Sequence, residues 1–195
     1  VEQGRSELKG ALRGRMLARR GLMAAEEVER LSCLVQGRVL DMAQWREARE
    51  VMLYMAFRNE VRTDALLADA WARGVRVLLP RCRPGEAGGM DVACVTCAEE
   101  VRPGAYGIPE PDPAVCRALE TYAPEIVVVP GVAYGRRGFR VGYGGGYYDR
   151  FLAGPGREAL SLGLAYGFQL VDEVPADSWD ARVAAVCTET EIVWT

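Results

Sequence analysis

Four stretches of the chain, VMLYMAF (51–57), VRVLLP (75–80), EIVVVP (125–130) and LSLGLAY (160–166), are apolar at nearly every position. A strand with one wet face alternates apolar and polar residues, so runs without alternation belong to strands covered on both sides. DALLADAWARG separates the first two runs at helical spacing, with Thr63 as its N-cap and Gly74 as its stop. Strand, helix and strand with short connections form a parallel crossover. MDVACV (90–95) and the terminal AAVCTETEIVW supply further short strands, and RPGAYGIPEPDP (102–113) reads as loop. Two helices come first. Residues 6–20 place Leu8, Ala11, Leu12, Met16 and Leu17 on one side, and residues from about 24 to 43 bury Val28, Leu31, Val35, Val39 and Leu40 or Met42. The pattern predicts a single α/β domain over 1–195, with a largely parallel, Rossmann-like sheet flanked by helices and preceded by a helical pair.

Composition narrows the chemistry. Among 195 residues there is no histidine, which removes the commonest general base, the Ser-His and Cys-His nucleophile pairs and the usual zinc ligand. Lys9 is the only lysine among 24 basic residues; the rest are arginines, suited to bidentate binding of phosphate and carboxylate. The net charge of -3 argues against a nucleic-acid partner. No apolar run approaches membrane-spanning length and VEQGRSELKGALRGRML carries no leader-like core, so the expectation is a soluble, cytoplasmic protein with no membrane partner. The six cysteines are scattered, and Cys94-Val-Thr-Cys97 is a lone pair with no second half, which reads as apolar filling rather than a metal or redox site.

EIVVVP runs directly into FRVGYGGGYYDR (139–150), the densest polar feature of the chain. In open α/β sheets ligands bind beyond the carboxyl ends of the strands, where this segment falls. Consecutive glycines can turn their backbone N–H groups toward an anion, Arg140 and Arg150 add forked donors, and Asp149 could hold a Mg²⁺. That combination suits ATP. The segment is neither a Walker A loop nor a dinucleotide fingerprint, and on spacing alone a tight turn beside packed tyrosines is an equal reading.

PGVAYGRRGFRVGYGGGYYDRFL (130–152) resembles the signature of the 5-formyltetrahydrofolate cyclo-ligases, also called 5,10-methenyltetrahydrofolate synthetases. The resemblance continues in order through LKGALR, YMAFRNEVRT, LLPR, GMD, YGIPEP and GLAYGFQLVDEVPADSWD to the terminal TE, covering nearly the whole chain. Arg62, Cys82, Tyr134, Gly135 and Trp179 depart from the family pattern. The resemblance implies ATP- and Mg²⁺-dependent ring closure of 5-formyltetrahydrofolate, with or without a polyglutamate tail, to 5,10-methenyltetrahydrofolate, with release of ADP and phosphate. The formyl oxygen attacks the γ-phosphate, N10 attacks the activated carbon and phosphate leaves. Such chemistry depends on positioning and charge neutralisation, and needs no histidine.

The resemblance also implies a site. Lys9, Arg140 and Asp149 would be catalytic. Lys9 and Arg13, one helical turn apart, would contact ATP together with Arg140, Gly142, Tyr143, Gly144, Gly145, Gly146, Tyr147, Tyr148, Asp149 and Arg150. Glu60 would accept N–H donors from the pterin, with Tyr54, Phe57, Met90, Tyr106 and Tyr148 lining or stacking in the pocket. Asp149 and Asp180 would hold the metal. A monomer or weak dimer is expected. Two other readings stand beside this one: a non-catalytic relative that binds folate or nucleotide, and a sugar-phosphate isomerase of similar architecture.

Overall fold

In a computed structural model of the protein, which describes residues 2–83, 85–86, 88–104 and 107–195, the four apolar runs lie side by side in one sheet. Helices α1 (Glu2–Gly21), α2 (Ala25–Asp41) and the short α3 (Ala43–Glu47) precede the first strand, β1 (Glu50–Met52). Helix α4 (Asp64–Ala72) leads to β2 (Arg76–Cys82) and β3 (Met90–Cys94), and then to a hairpin of β4 (Val101–Pro103) and β5 (Pro109–Pro111). Next come β6 (Ile126–Val129), β7 (Ala133–Gly135), β8 (Arg140–Val141), α5 (Tyr147–Ala153), β9 (Leu160–Leu164), β10 (Leu170–Val171), β11 (Ala185–Cys187) and β12 (Ile192–Trp194). The main sheet runs in the order β12-β11-β9-β6-β1-β2-β3. Its five inner strands are parallel, and β3 and β12 pair antiparallel at the two edges.

The absence of alternation in the apolar runs follows from two cores. Val51, Val77, Leu79, Ile126, Val128 and Leu162 face Val35 and Val39 of α2 and Leu66 and Ala70 of α4. Met52, Leu78, Val127, Val129 and Val186 face the other way, toward Phe151 and Leu152 of α5. A third core seats Leu12 and Met16 of α1 on Val132, Ala133 and Val141, beside the small sheet β10-β7-β8. None of the described helices is long and apolar enough to cross a membrane.

Several local expectations are corrected. Only Val51 and Met52 of the 51–57 run belong to a named strand, β1; after the Leu53 N–H donates to the Leu78 carbonyl, the chain leaves the sheet to build a turn. The expected helix over 24–43 is two helices, because Met42 is extended between them. Thr63 stands at the start of α4 but does not cap it: its hydroxyl donates to the Tyr54 carbonyl, while Gln36 from α2 accepts the N–H groups of Ala65 and Leu66. The segment 102–113, expected as loop, contains part of the β4–β5 hairpin. All six cysteines are free thiols.

Candidate active site

Helix α1 carries Lys9, Arg13 and Arg20 at spacings of four and seven residues, which places them within roughly 40° of one another on one face. That face also carries Met16, which is buried on the small sheet; with α1 docked there, Arg20 reaches the segments after β1 and β6, Arg13 the loop after β8, and Lys9 the segment 177–180. Lys9 and Arg20 lie about 16 Å apart along the helix axis. Each end of this span has its own polar cluster.

At the Arg20 end, the chain leaving β1 makes a turn in which Arg58 and Asn59 both take left-handed backbone conformations, φ 49° and 58°. A conformation that L residues rarely adopt needs compensation. The Asn59 side chain supplies it by donating to the carbonyls of Arg20 and Met23 at the end of α1. The turn carries Glu60 inward, where only 7 % of its surface is exposed and its Oε2 accepts the Phe57 N–H at 3.0 Å. Burial raises the Glu60 carboxyl above the usual carboxylate range; the Arg20 charge, the Phe57 N–H and the Tyr143 hydroxyl pull it back only in part. Five tyrosines, 54, 134, 143, 148 and 166, lie close enough to feel the Glu60 charge, and burial pushes each of their hydroxyls upward. Tyr54 and Tyr134 spend theirs on the carbonyls of Val61 and Val129. The Tyr148 hydroxyl is buried with no hydrogen-bond partner among the described residues.

At the Lys9 end, the ammonium donates to Asp177 at 2.7 Å and to Asp180 at 2.5 Å. Burial alone would lower its pKa, but the two carboxylates outweigh burial and hold it above the ordinary lysine value. Asp180 Oδ2 also accepts the Asp177 N–H, closing a tight loop. Arg140 and Asp149 form the adjoining pair at 3.1 Å; Arg140 donates to the Ala181 carbonyl and Asp149 Oδ1 accepts the Ala181 N–H. Asp149 and Asp180 are thus brought to one segment, each carrying an existing partner.

The glycine loop, 142–146, joins the two clusters. It follows β8 and ends at α5, with Gly144 at φ 105° and Gly146 at φ 66°, which any side chain would strain. Arg13 donates to the Gly142 carbonyl at 2.7 Å, and Arg150 donates to those of Gly145 and Gly88. Tyr143 leans from the loop onto Arg20, which donates to its hydroxyl. The loop is therefore held to α1 at two points, Arg13 and Arg20.

Other expected contacts are distributed unevenly. Phe57 is half-buried, with the Arg58 guanidinium 5.0 Å above its ring. Tyr54 is a core side chain beneath Glu60, and Met90 packs partly buried against the α5 core. Tyr147 lies by Cys82, whose thiol burial and the neighbouring Glu110 push up to about 11. Tyr106 lies outside the described residues. Two departures from the family pattern fall outside the Glu60 and Lys9 clusters: Arg62 pairs with Glu29 and Asp64 at the surface and Gly135 packs on Val174; Trp179 stands between Asp177 and Asp180, with its side chain exposed. Sequence reasoning missed Arg20 and Asp177. Arg20 is one of many arginines in α1, and only the tertiary fold sets it apart; Asp177, three residues before Asp180, had only that proximity as a signal.

Comparisons with known proteins bear on the chain as a whole. The sequence model of the 5-formyltetrahydrofolate cyclo-ligase family matches residues 5–189. The 5-formyltetrahydrofolate cyclo-ligase of Haemophilus influenzae is 31 % identical over 142 residues, 72 % of this chain and 76 % of its own. That of Escherichia coli strain K12 is 28 % identical over 175 residues, covering 89 % and 96 %. The structure of the 5,10-methenyltetrahydrofolate synthetase of Aquifex aeolicus superposes with a TM-score of 0.80 at 30 % identity, over 96 % of this chain and 92 % of that one. Agreement at this extent, running from the helix that bears Lys9 to the strands at the end of the chain, makes this protein a member of the 5-formyltetrahydrofolate cyclo-ligase family.

Proposed function

We propose that the chain closes the ring of 5-formyltetrahydrofolate to give 5,10-methenyltetrahydrofolate, at the expense of ATP, in the site between Glu60 and Lys9. One observation carries the reading: the Tyr143 hydroxyl, in the glycine loop, accepts from Arg20 and favours the Glu60 carboxylate, and Tyr148, on the helix that follows the loop, feels the Glu60 charge. The loop suited to phosphate and the acid suited to a pterin therefore serve one site. A buried carboxylate beside an unsatisfied hydroxyl matches a heterocycle edge that carries both donors and acceptors.

At the folate end, Glu60 accepts the pterin N–H groups and Tyr148 supplies the remaining hydrogen bond. At the phosphate end, Lys9, Arg13 and Arg150 supply positive charge around the open backbone of the glycine loop. Lys9 exchanges its aspartate partners for phosphate oxygens, and those partners keep its charge in place before nucleotide arrives. Arg140 holds Asp149 in place rather than reaching outward. Asp149 and Asp180 fit Mg²⁺, which takes one or two carboxylates and keeps water and phosphate oxygens for its other positions. Bound there, the metal would neutralise charge on the transferred phosphoryl group. The buried setting of Glu60, among Tyr54, Tyr134 and Tyr166, keeps bulk water from the activated formyl carbon until N10 reaches it.

ADP release tests the reading. It is expected only when Mg-ATP and 5-formyltetrahydrofolate are both present, in a one-to-one ratio with methenyl product, and Asp149→Asn is expected to reduce it at least about 100-fold. Release of ADP that ignores the folate would contradict the proposal.

A further inference from the structure

Arg20 is the residue at this site that no motif accounts for. Only 1 % of its surface is exposed, and a guanidinium taken out of water costs several kcal/mol unless its N–H groups are satisfied. Its donors reach three separate segments. Nε donates to the Arg58 carbonyl at 3.1 Å, Nη1 to the Gly131 carbonyl at 3.5 Å, and Nη2 to the Tyr143 hydroxyl. These are the turn after β1, the loop after β6 and the glycine loop. Nη1 also stands 3.9 Å from Glu60 Oε1, an ion-pair distance too long for a direct hydrogen bond. The other Glu60 oxygen is taken by the Phe57 N–H, so the oxygen facing Arg20 keeps capacity for a ligand.

The groups around Glu60 single out Arg20. Tyr54 at the end of β1, Tyr134 on β7, Tyr143 in the glycine loop, Tyr148 on α5 and Tyr166 after β9 all face it, and all are neutral near pH 7. Arg58 on the same turn directs its charge over the Phe57 ring. Arg20, from α1, is the cation that acts on the carboxylate.

We propose that Arg20 is a positioning residue for the folate half of the site: its buried guanidinium keeps Glu60 an anion aimed at the substrate and, through the Tyr143 hydroxyl, fastens the glycine loop to that acid. The proposal rests on the reading that Glu60 accepts the pterin N–H groups.

The experiment measures 5-formyltetrahydrofolate affinity without nucleotide from about pH 5 to pH 8, and KM and kcat for both substrates at neutral pH. Wild-type affinity is expected to weaken as acid protonates Glu60. Arg20→Gln raises the Glu60 pKa further, so this acid limb moves up by roughly one pH unit. The folate KM rises about tenfold, with kcat less affected. Glu60→Gln is expected to bind weakly with no acid limb. An Arg20→Gln limb that coincides with the wild-type limb, while Glu60→Gln abolishes it, overturns the role of Arg20. If Glu60→Gln binds like the wild type, the reading of Glu60 fails first and the proposal falls with it. Where Arg20→Gln does not fold, Arg20→Lys serves: its shorter, unforked cation moves the limb the same way by less, and no movement overturns the proposal. Tyr143→Phe is expected to raise the KM for ATP several-fold, and an unchanged value removes the link to the glycine loop.

Discussion

A buried hydroxyl without a partner costs about 1–3 kcal/mol, and among the described residues Tyr148, within reach of the Glu60 charge, has none. If that hydroxyl waits for the pterin, stability and function oppose each other there. Tyr148→Phe is expected to raise the melting temperature while raising the KM for 5-formyltetrahydrofolate, checked by thermal unfolding and initial rates on one preparation. Lys9 presents the opposite case, since its partners are already in place. Lys9→Ala is expected to lower kcat/KM for ATP about 100-fold, yet to leave the calorimetric affinity for folate unchanged, because Lys9 sits at the far end of α1. The candidate residues that the sequence brought forward were those in contiguous motifs: Lys9 with Arg13, Glu60, and the glycine loop with its flanking arginines. Arg20 was not, because burial by partners 38 to 123 residues away leaves no local trace.

Among the elements, the parallel strands were readable because both faces are covered and the apolar run is continuous. The strands β7, β8 and β10 have two or three residues each, too few to show any period, yet their small sheet is the floor on which α1 docks. The expected helix caps illustrate the same limit, since Gln36 reaches α4 from another helix. A side-chain clamp at the opposite end of the main sheet gives a test. Glu125, just before β6, accepts the N–H groups of Arg49 and Glu50 at the start of β1, and these bonds hold its carboxyl below the usual value. Stability from a depressed carboxylate is present above its unfolded pKa and is lost as pH falls through the lower folded value. Glu125→Ala is therefore expected to melt below the wild type at pH 7, with the gap closing below about pH 4 in a series of thermal scans. A gap that persists in acid would show that the clamp acts through packing alone.

For the whole molecule, the site is assembled by docking α1 against a body whose two larger cores lie elsewhere. Leu12 and Met16 bury the helix on Val132, Ala133 and Val141, and the same face carries Lys9, Arg13 and Arg20. Met16→Ala is expected to cost about 2–5 kcal/mol in local docking and to raise KM for both substrates together. Hydrogen exchange should show α1 losing protection while β1, β6 and β9 keep theirs. The parallel sheet and the helical pair were visible in the sequence; the way one helix spans both halves of the site emerged only from the packing. The central claim is that these halves form one ring-closing site. Absorbance in the methenyl-folate band, followed after 5-formyltetrahydrofolate is mixed with the protein, tests it most directly. The account predicts a rise that requires both ATP and Mg²⁺ and is lost in Glu60→Gln and Lys9→Ala. No rise under saturating Mg-ATP, with folate binding intact by calorimetry, would contradict it and leave a protein that binds the substrate without closing it.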